Sequence, residues 1–211
     1  MGIYLLIWGI TWTLAIAATV YSTKAYIAYS QKANTGEVNN NIVSWFIWAF
    51  VTVTNASSYF NMNKDWAMTI LPATGSIACL CVFVYMLFNG VYERPKKDDW
   101  LMLTLGLGAV VVWIFGGPTL AHFTITATFA VSVIPIFQKI FANPLSESPL
   151  PWSLWCRAFS LGVIVALIRS SSPADFVYPG GCLIGHTTLT FVTKRARAKA
   201  ARRLKLQSQN L

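Results

Sequence analysis

The chain has 211 residues, of which 55% are apolar, 14% aromatic and only 11% charged, and its net charge is +9. A soluble domain carries about 25% charged residues, so a surface this poor in charge cannot face water all round. The apolar content excludes disorder and four cysteines exclude a disulfide scaffold, which leaves an all-α membrane protein with several spans.

A spanning helix needs about 20 mostly apolar residues. Seven stretches meet that need, roughly 3–23, 42–61, 66–89, 99–117, 119–141, 152–169 and 175–193. The first resembles a secretory signal around Ala15-Ile16-Ala17, but no Lys or Arg precedes Lys24, so a retained helix is expected. Residues 99–141 are too long for one crossing, and Gly116-Gly117-Pro118 divides them, because proline lacks a backbone donor and glycine accepts a tight turn. The last span is short and opens on Tyr178-Pro179-Gly180-Gly181.

Basic residues set the direction. With the N-terminus outside, the inner side holds Lys24, Lys32, Arg94, Lys96, Lys97, Lys139 and the cluster Lys194, Arg195, Arg197, Lys199, Arg202, Arg203 and Lys205. Lys64 and Arg169 fall outside, and Arg157 lies within the sixth span, where its long side chain can snorkel to headgroups. This bias predicts a cell membrane protein, plasma or inner, with the C-terminus in the cytoplasm. The basic tail reads as an anchor on anionic lipid headgroups. No aromatic or glycine-rich pattern accompanies it, so no nucleic-acid partner is expected.

The chain also repeats itself. Shifted by 107 residues, Gln31-Lys32 falls on Gln138-Lys139, Trp45 on Trp152, Trp48 on Trp155, Ala67 on Ala174, Pro72 on Pro179, Ile77 on Ile184 and Cys79 on His186. Two units of three spans in succession would point opposite ways, and one extra helix restores the direction. The expected plan is a three-helix unit over 1–97, a linker helix over 98–118, a second unit over 119–193 and a basic tail over 194–211. The two units would be parallel, related by an axis along the membrane normal.

The second unit contains Ile134-Pro135-Ile136-Phe137-Gln138-Lys139, then Asn143-Pro144-Leu145-Ser146-Glu147-Ser148, leading into Pro151-Trp152-Ser153-Leu154-Trp155. The first has Ala28-Tyr29-Ser30-Gln31-Lys32, then Asn39-Asn40-Asn41 before Trp45, and lacks the proline. This pattern on a 3+1+3 plan resembles the PQ-loop superfamily of SWEET-type transporters. The resemblance implies a seven-helix carrier, with Pro135, Gln138 and Gln31 at an inner gating hinge. In that family, paired asparagines belong to the third helix of each unit. Here those helices carry Ser76, Ala78 and Cys79, and Gly185 and His186.

The solute-binding candidates are few. Asn55 lies mid-span, and its carboxamide both donates and accepts. Trp48 and Trp155 start the second span of each unit, and their indole faces stack on flat solutes. Trp45 and Trp152, nearer the loops, suit an interfacial belt better. His186 reads as the deep histidine. All seven acids, Glu37, Asp65, Glu93, Asp98, Asp99, Glu147 and Asp175, fall in loops or at span ends, which favours facilitated diffusion over carboxylate-driven coupling. The cysteines suggest neither a disulfide nor a metal site, and no cofactor is called for.

The leading expectation is a carrier for a small, neutral, sugar-like solute, with its site between the two units. The alternative is a receptor that does not transport, or a subunit partnered by its own copy or another membrane protein. An enzyme is not expected, because no acid and base or nucleophile stand together in the spans.

Overall fold

The computed structural model describes residues 2–34, 42–89 and 94–209, with all described regular structure helical. Glu37, Glu93 and Asn39 to Asn41 lie outside the described residues. The helices are α1 (Gly2–Asn34), α2 (Ile42–Asn63), α3 (Trp66–Asn89), α4 (Lys97–Ala142), α5 (Pro149–Arg169) and α6 (Val177–Gln209). A short 3-10 turn, Pro173–Phe176, precedes α6.

Four of these helices, α1, α3, α4 and α5, are long and apolar enough to cross a membrane. The polar content of the other two sets them apart. α2 carries Thr52, Thr54, Asn55, Ser57 and Ser58, and α6 carries His186, four threonines and the basic cluster. Hydroxyls inside apolar helices are satisfied locally. Thr11, Thr19 and Thr23 of α1 each donate to the carbonyl four residues back, at 2.9–3.0 Å.

α4 is one helix of 46 residues interrupted at a single residue, Gly117, whose φ of 83° and ψ of 174° belong to a region that glycine alone enters freely. Pro118 follows, where its missing N–H costs nothing at the start of a new helical limb. Met102 and Ala109 of the first limb and Ile125 of the second join Ile47 and Val51 of α2 in one apolar cluster. In a straight helix residues 102 and 125 would lie about 35 Å apart. The break therefore turns the second limb back against α2. The backbone stays helical through Pro135.

Two sequence boundaries move. The basic segment from 194 is no separate tail, since α6 runs unbroken to Gln209 and Arg197 donates to the carbonyls of Glu147 and Leu145 at 2.8 and 3.1 Å. Likewise α1 continues past residue 23 to Asn34. Neither end leaves its helix, because no proline or glycine stops it.

α1 packs on α3 and α5, α2 on α3 and α4, and α6 on α4 and α5. At one end, Asp65 caps α3, its Oδ1 accepting from the amides of Ala67 and Met68 at 2.8 and 3.2 Å. Its Oδ2 receives Arg169, at the C-terminus of α5, at 2.6 Å and 2.7 Å. Close by in sequence, the Tyr59 hydroxyl donates to the Asp175 carbonyl at 2.8 Å, and Asp175 Oδ2 accepts from the amides of Ser171 and Ser172 at 3.1 Å each.

Candidate functional site in the central cavity

A cavity of about 1120 Å³ lies in the middle of the bundle. Its wall is drawn from every helix. It reaches the exposed residues Lys96, Asp98, Gln138 and Ala142 at one end. It also reaches the side of the bundle between α6 and the second limb of α4, where Ala127, Gly181 and Ile184 are exposed. No residue of the Asp65–Arg169 end lines it.

The wall residues recur along the chain. Ser22, Tyr26 and Tyr29 of α1 line it, and so do Phe129, Val133 and Ile136, each 107 residues later. Trp45, Trp48 and Thr52 of α2 match Trp152, Trp155 and Phe159 of α5. Leu71, Gly75 and Cys79 of α3 match Tyr178, Cys182 and His186 of α6. Each trio takes one face of its helix at spacings of three and four residues.

Rings dominate the wall. The centroid of Trp155 lies 5.0 Å from Tyr26, 5.2 Å from Trp152 and 5.4 Å from His186. His186 stacks on Phe159 at 5.0 Å, and Trp48 meets Phe129 at 5.5 Å. Nδ1 of His186 is 2.6 Å from the Cys182 carbonyl. A carbonyl only accepts, so Nδ1 carries the proton and Nε2 is an acceptor. Cys79 Sγ donates to the Tyr26 hydroxyl at 3.5 Å. All four cysteines are free.

Acids gather at the mouth. Asp99 is buried, accepting from Ser44 Oγ at 3.0 Å and from the Lys96 amide at 2.8 Å. Glu147 is buried and paired with Lys139 at 3.0 Å. Burial pushes its carboxyl above the ordinary range, while Lys139 pulls the other way. These loop and helix-end acids are built into the fold.

Of the residues singled out from the sequence, Trp48, Trp155, His186, Pro135 and Gln138 line the cavity. Asn55 is buried outside its wall, and Gln31 is exposed on α1 away from it. Trp45 and Trp152 do not sit in an interfacial belt. Both are buried in the wall, because α2 and α5 turn one face inward from their first turn. Arg157 is exposed, its guanidinium 5.9 Å from the Tyr21 ring centre.

His186 is not the one deep histidine. His122 is wholly buried and stacks on Tyr59 at 4.9 Å. It falls so near the start of the fifth expected span that it reads as a helix end. The tight turn at Gly117 brings that limb inside the bundle within five residues. A histidine on the same helical face as Ile125 and Phe129 was the available signal.

The site offers aromatic faces, a few neutral hydrogen-bonding groups and charge only at its mouth. No protein-family model, curated protein or solved structure matches the chain.

Proposed function

We propose that the protein is a membrane carrier for small, neutral, polar solutes of sugar-like character, working by facilitated diffusion through the central cavity. The observation that carries this reading is the wall itself, whose α1, α2 and α3 residues recur 107 residues later in the second limb of α4, α5 and α6. A cavity on a pseudo-two-fold axis between parallel units is what a rocking carrier needs, and a receptor or assembly subunit has no use for one. The packing is consistent with such an axis, since α1 meets α5 while α2 meets α4. In this reading the first limb of α4 is the linker of a seven-helix, SWEET-like 3+1+3 plan.

The basic bias puts the mouth with Lys96 and Lys139 on the cytoplasmic side. The cavity then faces inward, and the Asp65–Arg169 pair with the Tyr59–Asp175 bond closes the outer end. Indole and phenol faces suit the apolar faces of sugar rings, and His186 and Cys79 suit their hydroxyls. Trp48, Trp155 and His186 are the contacts proposed at the centre, with Pro135 and Gln138 at the inner mouth.

The experiment is uptake into proteoliposomes of radiolabelled glycerol, D-glucose, sucrose, L-alanine and uridine, with L-lysine and L-glutamate as charged controls. At least one neutral solute should enter faster than into empty vesicles, and the charged pair should not. Entry of all seven at the empty-vesicle rate overturns the carrier.

A further inference from the structure

The closed end of the bundle holds polar atoms that nothing in the fold satisfies. His122 is 0% exposed and neither ring nitrogen has a hydrogen-bond partner. Asn55 is 1% exposed and both its amide atoms are unpaired. One turn after His122, the Thr126 hydroxyl is also buried and unpaired, and Thr126 lines the cavity.

These groups share one level. Trp48 packs on Phe129 and Tyr59 on His122, so α2 and the second limb of α4 run antiparallel. Asn55 falls between 48 and 59 on one helix, and Thr126 between 122 and 129 on the other. Tyr178, part of the cavity wall, packs on both Tyr59 and His122 at 6.0 and 6.2 Å. The polar level therefore adjoins the cavity, next to Tyr178.

A buried polar atom without a partner bears its full desolvation penalty, and native folds keep few of them. Five on three neighbouring residues point to a partner gained in another state. We propose that Asn55, His122 and Thr126 form a second solute site, for the hydroxyl groups of a neutral polyol or sugar, occupied as the closed end opens. This rests on the carrier reading above. The carboxamide and the neutral imidazole each supply a donor and an acceptor, and the threonine hydroxyl supplies either. Vicinal hydroxyls match that set. A charged solute does not, because the ionic groups of this end are already engaged, Asp65 with Arg169 and Asp175 with backbone amides.

The test is Asn55→Leu with Asn55→Leu/His122→Phe, apolar replacements of similar shape. Removing unpaired buried polar atoms leaves a fold as stable or more so. The variants should unfold at or above the wild-type temperature, yet take up glycerol, D-glucose or sucrose with KM raised about tenfold for each lost hydrogen-bonding residue. Unchanged uptake overturns the second site and leaves the carrier standing. Loss of uptake together with a lowered unfolding temperature also overturns it, assigning these residues to packing. No uptake of the three solutes by the wild type overturns the sugar-like reading and this site together.

Discussion

Trp155→Ala is expected to lower the stability of the purified protein by about 3–5 kcal/mol, the usual cost of deleting a buried indole. The ring is buried and touches Tyr26, Tyr29, Trp152 and His186, so its removal leaves a hole that four rings cannot all collapse into. Trp155→Phe separates packing from solute contact. It keeps an aromatic face and most of the volume, so the unfolding temperature should fall far less, while the smaller face still raises KM for the transported solute. Thermal unfolding in detergent and initial uptake rates at equal reconstitution measure the two effects. An unfolding temperature unchanged in Trp155→Ala would contradict the packed aromatic wall.

Asp65→Ala is the second large effect expected. One carboxylate both caps α3 and holds Arg169. Loss of a helix cap costs about 0.5–2 kcal/mol. Losing the ion pair adds little by itself, because both partners are partly exposed to solvent. Asp65→Asn keeps an oxygen for the cap and should recover most of the stability. On the carrier reading both variants loosen the closed end, so a cysteine introduced at Tyr59 should become reactive to an impermeant thiol reagent added outside. If Asp65→Ala and Asp65→Asn lose equal stability, the cap contributes nothing.

Much of this architecture is legible in the chain because its causes are local. Gly117 with Pro118 breaks a helix wherever the pair stands, and the indoles of Trp48 and Trp155 face inward because their 107-residue offset falls on equivalent helical faces. The lengths of α1 and α6 are less legible. A hydropathy reading ends a helix where apolar residues end, whereas the backbone continues through Lys24 to Asn34 and through Lys194 to Gln209 until something stops it. Trp45 and Trp152 mislead for a related reason, since closeness to a loop in sequence says nothing of which way the first helical turn faces. Asn55 and Gln31 show the limit of depth alone. One is buried behind the wall and the other exposed, and only the packing of α2 and α1 decides that. His122 demanded the turn at Gly117, a tertiary fact.

Counterflow tests the carrier most directly. Proteoliposomes loaded with an unlabelled solute that passes the uptake screen are diluted into trace label of the same solute. A carrier with one central cavity exposed to each side in turn should accumulate label transiently above its equilibrium level, and Trp155→Ala should abolish the overshoot. Entry of label at the rate of empty vesicles, with no overshoot, would contradict the carrier.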